Sequence, residues 1–234
     1  MIHFITYGDE KYEKAKQRIL QEAKELGIFD SVKGFGPEDL KIKNAAPLFY
    51  KIMKDKIGGG YWLWKPVIIK QDLDTLPEND ILVYADAGCI LKKSGLSRFQ
   101  EYINIVKNIK PILRFQTLYP EITCTTNLVL RFFNAEKETG ITDTGQYIGG
   151  VQILRKCKET VEMINLWYEA ATKYPVIFTD TILPDPHPSF ELGRRDQSVF
   201  SVITKLYLHH VYTLTDETWP DKPEFPIFAA RKAD

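Results

Sequence analysis

The chain has 234 residues, enough for one sizeable hydrophobic core and short for two. Its 31 Lys and Arg balance 31 Asp and Glu, so no overall basic field draws in a nucleic-acid backbone or an anionic membrane, and an anionic ligand must be held locally. A hydrophobic content of 44% excludes disorder, and no apolar run approaches the ~20 residues that cross a bilayer.

The apolar residues 2–6 predict a strand that ends at Tyr7-Gly8-Asp9. Ala15, Ile19, Ala23 and Leu26 follow at helical spacing, with Gly27 as the C-cap. A second helix is expected to carry Leu48, Phe49, Ile52 and Met53 and to end at Gly58-Gly59-Gly60. Pro66 suits the first turn of another helix reaching Leu73, which puts WLWK at a helix entrance. After a turn at PEND, the run ILVYA at 81–85 is continuous and apolar, the pattern of a strand buried on both faces of a parallel sheet. Asp86 falls at its carboxyl end.

Farther along, Leu96, Phe99, Ile103 and Val106 mark a helix, residues 112–115 a strand, and residues 147–154 a third strand candidate. A helix through Val161 and Ile164, a polar, proline-rich loop at 180–195, a helix over 197–206 and a strand near 211–214 complete the pattern. Residues 219–234 read as an irregular tail. Alternating strands and helices with no linker predict one α/β domain over residues 1–234. Cys89, Cys124 and Cys157 are odd in number and widely spaced. They suggest neither a disulfide framework nor a zinc cluster. With no basic and apolar leader in MIHFITYGDE, the expectation is a cytoplasmic protein without a transmembrane segment.

In open α/β sheets ligands bind beyond the carboxyl ends of the strands, so Asp86 is the leading candidate for a ligand-facing acid, against a turn role ahead of Gly88. Lys65, beside a helix N-terminus and a glycine triplet, suits a diphosphate. Trp62 and Trp64 sit with it, as ligand platform or as core. Gln146 and Tyr147 precede Gly149-Gly150, where a backbone without side chains lets a sugar approach or makes a tight bend. Asp196, in GRRDQSVF, reads either as a base or acceptor anchor or as the N-cap of the helix that follows. Asp143 is a further, weaker carboxylate.

The blocks FITYGDEKY, GGGYWLWKPVII, DILVYADAGC, TGQYIGGVQILRK and RRDQSVF span nearly the whole chain. As an ordered set they resemble small bacterial and viral glycosyltransferases of the GT-A fold, with YADAG in the place of an acidic DxD-like motif. The resemblance implies a Rossmann-like, mostly parallel central sheet flanked by helices. It also implies transfer of a sugar from a UDP- or GDP-linked donor to a glycan or other hydroxyl acceptor. It would place Thr6, Tyr7, Gly8, Trp62, Lys65, Asp86, Ala87 and Gly88 on the donor, and Tyr147, Gly149 and Gly150 on the acceptor. Asp196 and Gln146 become the catalytic candidates, and Mn²⁺ or Mg²⁺ is implied on Asp86 and His187. The chain departs from the pattern at Gly88, where the second acid of the motif would stand. That departure keeps open a non-catalytic nucleotide-sugar or carbohydrate-binding module. A nucleotidyltransferase needs a glycine-rich basic loop after the first strand, which FITYGDEKY lacks.

Overall fold

The apolar start of the chain forms β1 (Ile2–Tyr7), buried beyond its first residue. A computed structural model describes residues 1–233. The helix Glu13–Leu26 follows and ends at Gly27, whose φ of 67° is the left-handed cap expected of glycine. The chain then forms β2 (Ser31–Phe35), a strand the sequence pattern does not announce. The helix Pro47–Ile52 stops well short of the glycine triplet, and a separate turn Gly58–Tyr61 precedes the helix Trp64–Thr75. β3 (Ile81–Ala85) is buried at every residue, as its sequence predicts. β4 (Ile90–Leu91) comes next, then the helix Leu96–Asn108.

β5 runs over Ile112–Pro120, five residues beyond the expected end. The strand expected at 147–154 is two strands, β6 (Gly145–Tyr147) and β7 (Val151–Arg155), parted by a bend at residues 148–150. The helices Lys158–Lys173 and Asp196–Leu206 flank the loop at 180–195, which has no helix or strand, and β8 (Val211–Thr215) follows. The tail contains β9 (Ile227–Phe228), which pairs antiparallel with β4, so it is less irregular than its prolines suggest.

The main sheet has the order β2-β1-β3-β7-β5-β6, with β8 on β5. β2, β1 and β3 are parallel; β7 runs antiparallel to both β3 and β5; β8 is parallel to β5 and β6 antiparallel to it. Most strands therefore point one way, with β6 and β7 opposed, in the mixed, mostly parallel arrangement expected. Helices cover both faces. One apolar cluster joins Ile5, Leu82 and Tyr84 to Val67, Ile68, Trp167 and Phe200. The other joins Phe4, Val83 and Ile153 to Ile19, Ala23, Phe99 and Val106. Alternate residues of β1 and β3 feed opposite clusters, as the period of a strand requires. All three cysteines are buried and free.

This topology sets the site. β1 and β3 end side by side, and β7 begins against Ala85. β2 lies on one side of β1 and β3 on the other, so the strand order reverses between β1 and β3, the kind of place where open α/β sheets bind ligands.

Candidate active site

Asp86 leaves the end of β3 with its N–H donating to the Gly150 carbonyl at 2.8 Å. Its Oδ1 accepts from the Tyr84 hydroxyl and lies 3.2 Å from the Lys65 ammonium. Oδ2 takes neither bond, and the side chain is 37% exposed. Lys65, on the first turn of the helix Trp64–Thr75, reaches across to Asp196 Oδ2 at 2.8 Å and the Gly149 carbonyl at 3.5 Å. Four regions far apart in sequence thus meet at one ammonium, whose three protons have three acceptors.

Only 3% of the Lys65 side chain is exposed. Burial pulls its ammonium down, but Asp196 and Asp86 more than offset this and hold it above the ordinary lysine range. Burial pushes the Asp196 carboxyl up, with Lys65 pulling it back. The Lys65 protons are engaged inside the protein, and it holds two carboxylates in place. Asp196 is not the N-cap. Arg195 holds that position, with no side-chain capping bond, and Asp196 turns its carboxylate to Lys65 instead.

The two glycines of the bend serve the chain's own packing. A Cβ on Gly150 would lie 2.9 Å from Asp86 Oδ2, and one on Gly149 would lie 3.3 Å from the Gln197 backbone. The Gly149 N–H donates to Gln197 Oε1 at 3.1 Å. The close approach that these glycines permit in the structure is that of Asp86 and Gln197. Tyr147 is buried with its hydroxyl bonded to Thr213 at 2.7 Å. Gln146 is also buried. Its Nε2 donates to Glu121 at 3.0 Å, while its Oε1 accepts from Gln197 Nε2 at 2.6 Å, so it braces Gln197 and does not face a substrate.

Of the nucleoside candidates, Thr6 is fully buried and its hydroxyl donates to the Ala85 carbonyl at 2.8 Å, tying β1 to β3. That hydroxyl reads no base. The Tyr7 ring stacks on Trp64 with centroids 3.8 Å apart, so that face is already covered. Gly8 is buried at the strand end, with its N–H on the Phe35 carbonyl at 3.1 Å. Ala87 and Gly88 are buried, and the Ala87 carbonyl accepts from Arg18 at 3.1 Å.

Gly58, Gly59, Gly60, Tyr61 and Trp62 all have positive φ, between 55° and 96°. A glycine triplet is what makes such a left-handed turn accessible, and two non-glycine residues there store strain beside the site. Trp62 is half-buried with its ring over Gly58. The Arg195 guanidinium lies 5.9 Å from the Trp62 ring and is fixed by two bonds to Asp180, 2.9 and 3.0 Å long, which clamps the loop at 180–195 onto this turn.

His187 is exposed, its Nδ1 accepting from the Ser189 N–H at 3.2 Å, and Asp143 is exposed as well. Neither joins Asp86. Among the described residues no three His, Cys, Asp or Glu side chains converge on a place that could hold a metal ion. At Asp86 the chain offers one carboxylate whose Oδ1 already takes a hydroxyl and an ammonium. A divalent ion needs oxygen ligands and suffers repulsion from that ammonium, so this donor set does not fit Mn²⁺ or Mg²⁺.

No family model matches the chain, and no curated protein sequence matches it. Several solved structures are similar in overall course. A glycosyltransferase involved in glycosylation of the major capsid of the virus PBCV-1 is 10% identical, with 97% of this chain and 92% of that one covered and a TM-score of 0.47. Mouse xyloside xylosyltransferase 1 is 12% identical, covering 94% and 87%, also at 0.47. The galactosyltransferase LgtC, solved with donor and acceptor sugar analogs, is 10% identical, covering 97% and 86% at 0.46. At these values no residue of this chain is assigned a role from them.

Proposed function

We propose that the chain is a glycosyltransferase that uses a nucleoside-diphosphate sugar, UDP- or GDP-linked, and an acceptor hydroxyl on a glycan or similar molecule. One observation carries the reading: a part-exposed carboxylate, Asp86, stands at the carboxyl end of β3, beside the point where the strand order reverses, joined through a buried Lys65 to a second carboxylate, Asp196. In this reading the nucleoside lies over Gly8 and beside the Tyr7–Trp64 stack, rimmed by the left-handed turn. Asp86 Oδ2 accepts hydrogen bonds from donor hydroxyls. In the transfer step the bond from the anomeric carbon to the diphosphate oxygen breaks, and the diphosphate leaves with the electron pair. The acceptor oxygen bonds to that carbon and its proton passes to Asp196, a carboxylate held charged by Lys65. Three free, buried cysteines suit a reducing compartment such as the cytoplasm. No helix among the described residues is long and apolar enough to cross a membrane.

A thermal-shift panel of nucleoside diphosphates tests the binding half of this proposal. At a concentration about 100 times its dissociation constant, a ligand of the folded state stabilises by about 2.7 kcal/mol. UDP or GDP is expected to raise the melting temperature more than the matching nucleoside does. A panel in which no nucleoside diphosphate moves the transition contradicts it.

A further inference from the structure

The position of the second acid in a DxD-like motif falls on Gly88, and the structure gives a reason for glycine there. β9 pairs with β4 in the register Ile90 to Phe228 and Leu91 to Ile227, so the tail runs back along the loop that follows Asp86. The Lys232 N–H donates to the Gly88 carbonyl at 3.0 Å. A Cβ on Gly88 would lie 3.1 Å from both the Arg231 Cα and the Lys232 nitrogen, tighter than side chains normally pack. An acid at this position would push the tail away. The space beside Asp86 is thus filled by a backbone that carries two adjacent cations, Arg231 and Lys232, both exposed. Arg231 has a φ of 55°, a conformation that non-glycine residues seldom adopt and that turns the chain at this point. The underside of the same loop is braced by Arg18, which donates to the Ala87 and Cys89 carbonyls at 3.1 and 2.9 Å.

We propose that Arg231 and Lys232 bind the diphosphate of the donor, taking the place of a divalent ion, so that donor binding by this chain is independent of metal. The inference rests on the nucleotide-sugar reading of the site and names how that site neutralises its anion. Charge supports it. Asp86 and Asp196 are two carboxylates, against the three cations Lys65, Arg231 and Lys232, so the neighbourhood of Gly88 favours a diphosphate over a further cation. Chemistry supports it too. Lys65 has no free proton for a phosphate, whereas a guanidinium and an ammonium on one exposed segment offer eight N–H donors in all, with the planar fork suited to phosphate oxygens.

The test is calorimetric titration of UDP, GDP, uridine and guanosine into the full chain, in EDTA and in Mn²⁺, repeated with the Arg231→Ala/Lys232→Ala variant. Both side chains are exposed, and the melting temperature of the variant checks that it folds. The diphosphate dissociation constant is expected to agree within about threefold between EDTA and Mn²⁺. In the variant it should weaken by about tenfold or more, the loss expected of charge-assisted hydrogen bonds, while nucleoside binding stays within about threefold. Diphosphate binding that requires Mn²⁺, or a variant that binds diphosphate like the parent, overturns the inference and leaves the nucleotide-sugar reading standing. Absence of diphosphate binding in both buffers overturns both.

Discussion

Lys65→Met is expected to destabilise the fold by about 3–5 kcal/mol, the loss typical when one partner of a buried ion pair is removed. Methionine keeps the stem's packing but leaves Asp86 and Asp196 facing one another without the ammonium that now lies 3.2 and 2.8 Å away. The defect carries a pH signature. Burial already pushes the Asp196 carboxyl up, and Asp86 adds to that push; Lys65 is what pulls it back. Without Lys65 the folded-state pKa of Asp196 rises further. A group raised in the folded state contributes stability below its unfolded pKa, about 3.9 for Asp, and loses it as pH rises through the folded value. The deficit relative to the parent should therefore be largest near neutral pH and shrink as pH falls toward about 4 to 5. Urea unfolding of both proteins at the two ends of that window measures it. A deficit that is small, or equal at both pH values, contradicts the ion-pair account of Lys65.

Asp196→Asn separates catalysis from stability less cleanly than a helix cap would allow. Asparagine caps helices as well as aspartate does, but Arg195 holds the cap position and Asp196 is buried against Lys65. The variant loses one charged hydrogen bond while Asp86 still faces the ammonium, so a stability loss of about 1–3 kcal/mol is expected, smaller than for Lys65→Met. Transfer should fall by about 10²-fold or more, since an amide cannot take the acceptor proton. Donor binding should change little. If transfer by a folded Asp196→Asn enzyme remains within about threefold of the parent, far short of what losing a general base removes, Asp196 is a structural partner of Lys65 only.

These two side chains show what could be read in advance and what could not. ILVYA announces a doubly buried strand, and that alone places Asp86 at a strand end. WLWKP announces a helix entrance. What the pattern cannot supply is the partner across space: Lys65 looks like an exposed cation at a helix start, and only the packing of its helix against β1 and the helix Lys158–Lys173 turns it inward. The same limit applies to Gly149-Gly150, which mark close approach but not what approaches. β2 was hidden for another reason. An edge strand with Lys33 and Gly34 in the middle, and only partly buried flanks, carries neither alternation nor a continuous apolar run. The helix Pro47–Ile52 ends early because the residues before the triplet leave helical geometry and the triplet itself turns left-handed. β9 was obscured by the prolines around it, and with it the approach of Arg231 and Lys232 to Gly88.

Buried polar pairs are the least legible class. Glu121 and Lys205 lie 2.9 Å apart with 0% and 2% of their side chains exposed, and through Gln146 and Gln197 they brace the Gly149 backbone. Glu121 comes from a short helix after β5 and Lys205 from the helix Asp196–Leu206. Nothing in the spacing of these residues pairs them, and their charge reads in sequence as solvated surface.

The central claim is that Asp86 belongs to a site that turns over a nucleoside-diphosphate sugar. The most direct measurement is release of nucleoside diphosphate from a panel of UDP- and GDP-hexoses by the parent chain and by Asp86→Asn, each first shown to be folded. The account predicts that the parent releases UDP or GDP from at least one donor and that Asp86→Asn slows this by about 10²-fold, the scale of losing a placed electrostatic contact to the reacting donor. No release from any donor by the folded parent, or equal release by parent and variant, contradicts it.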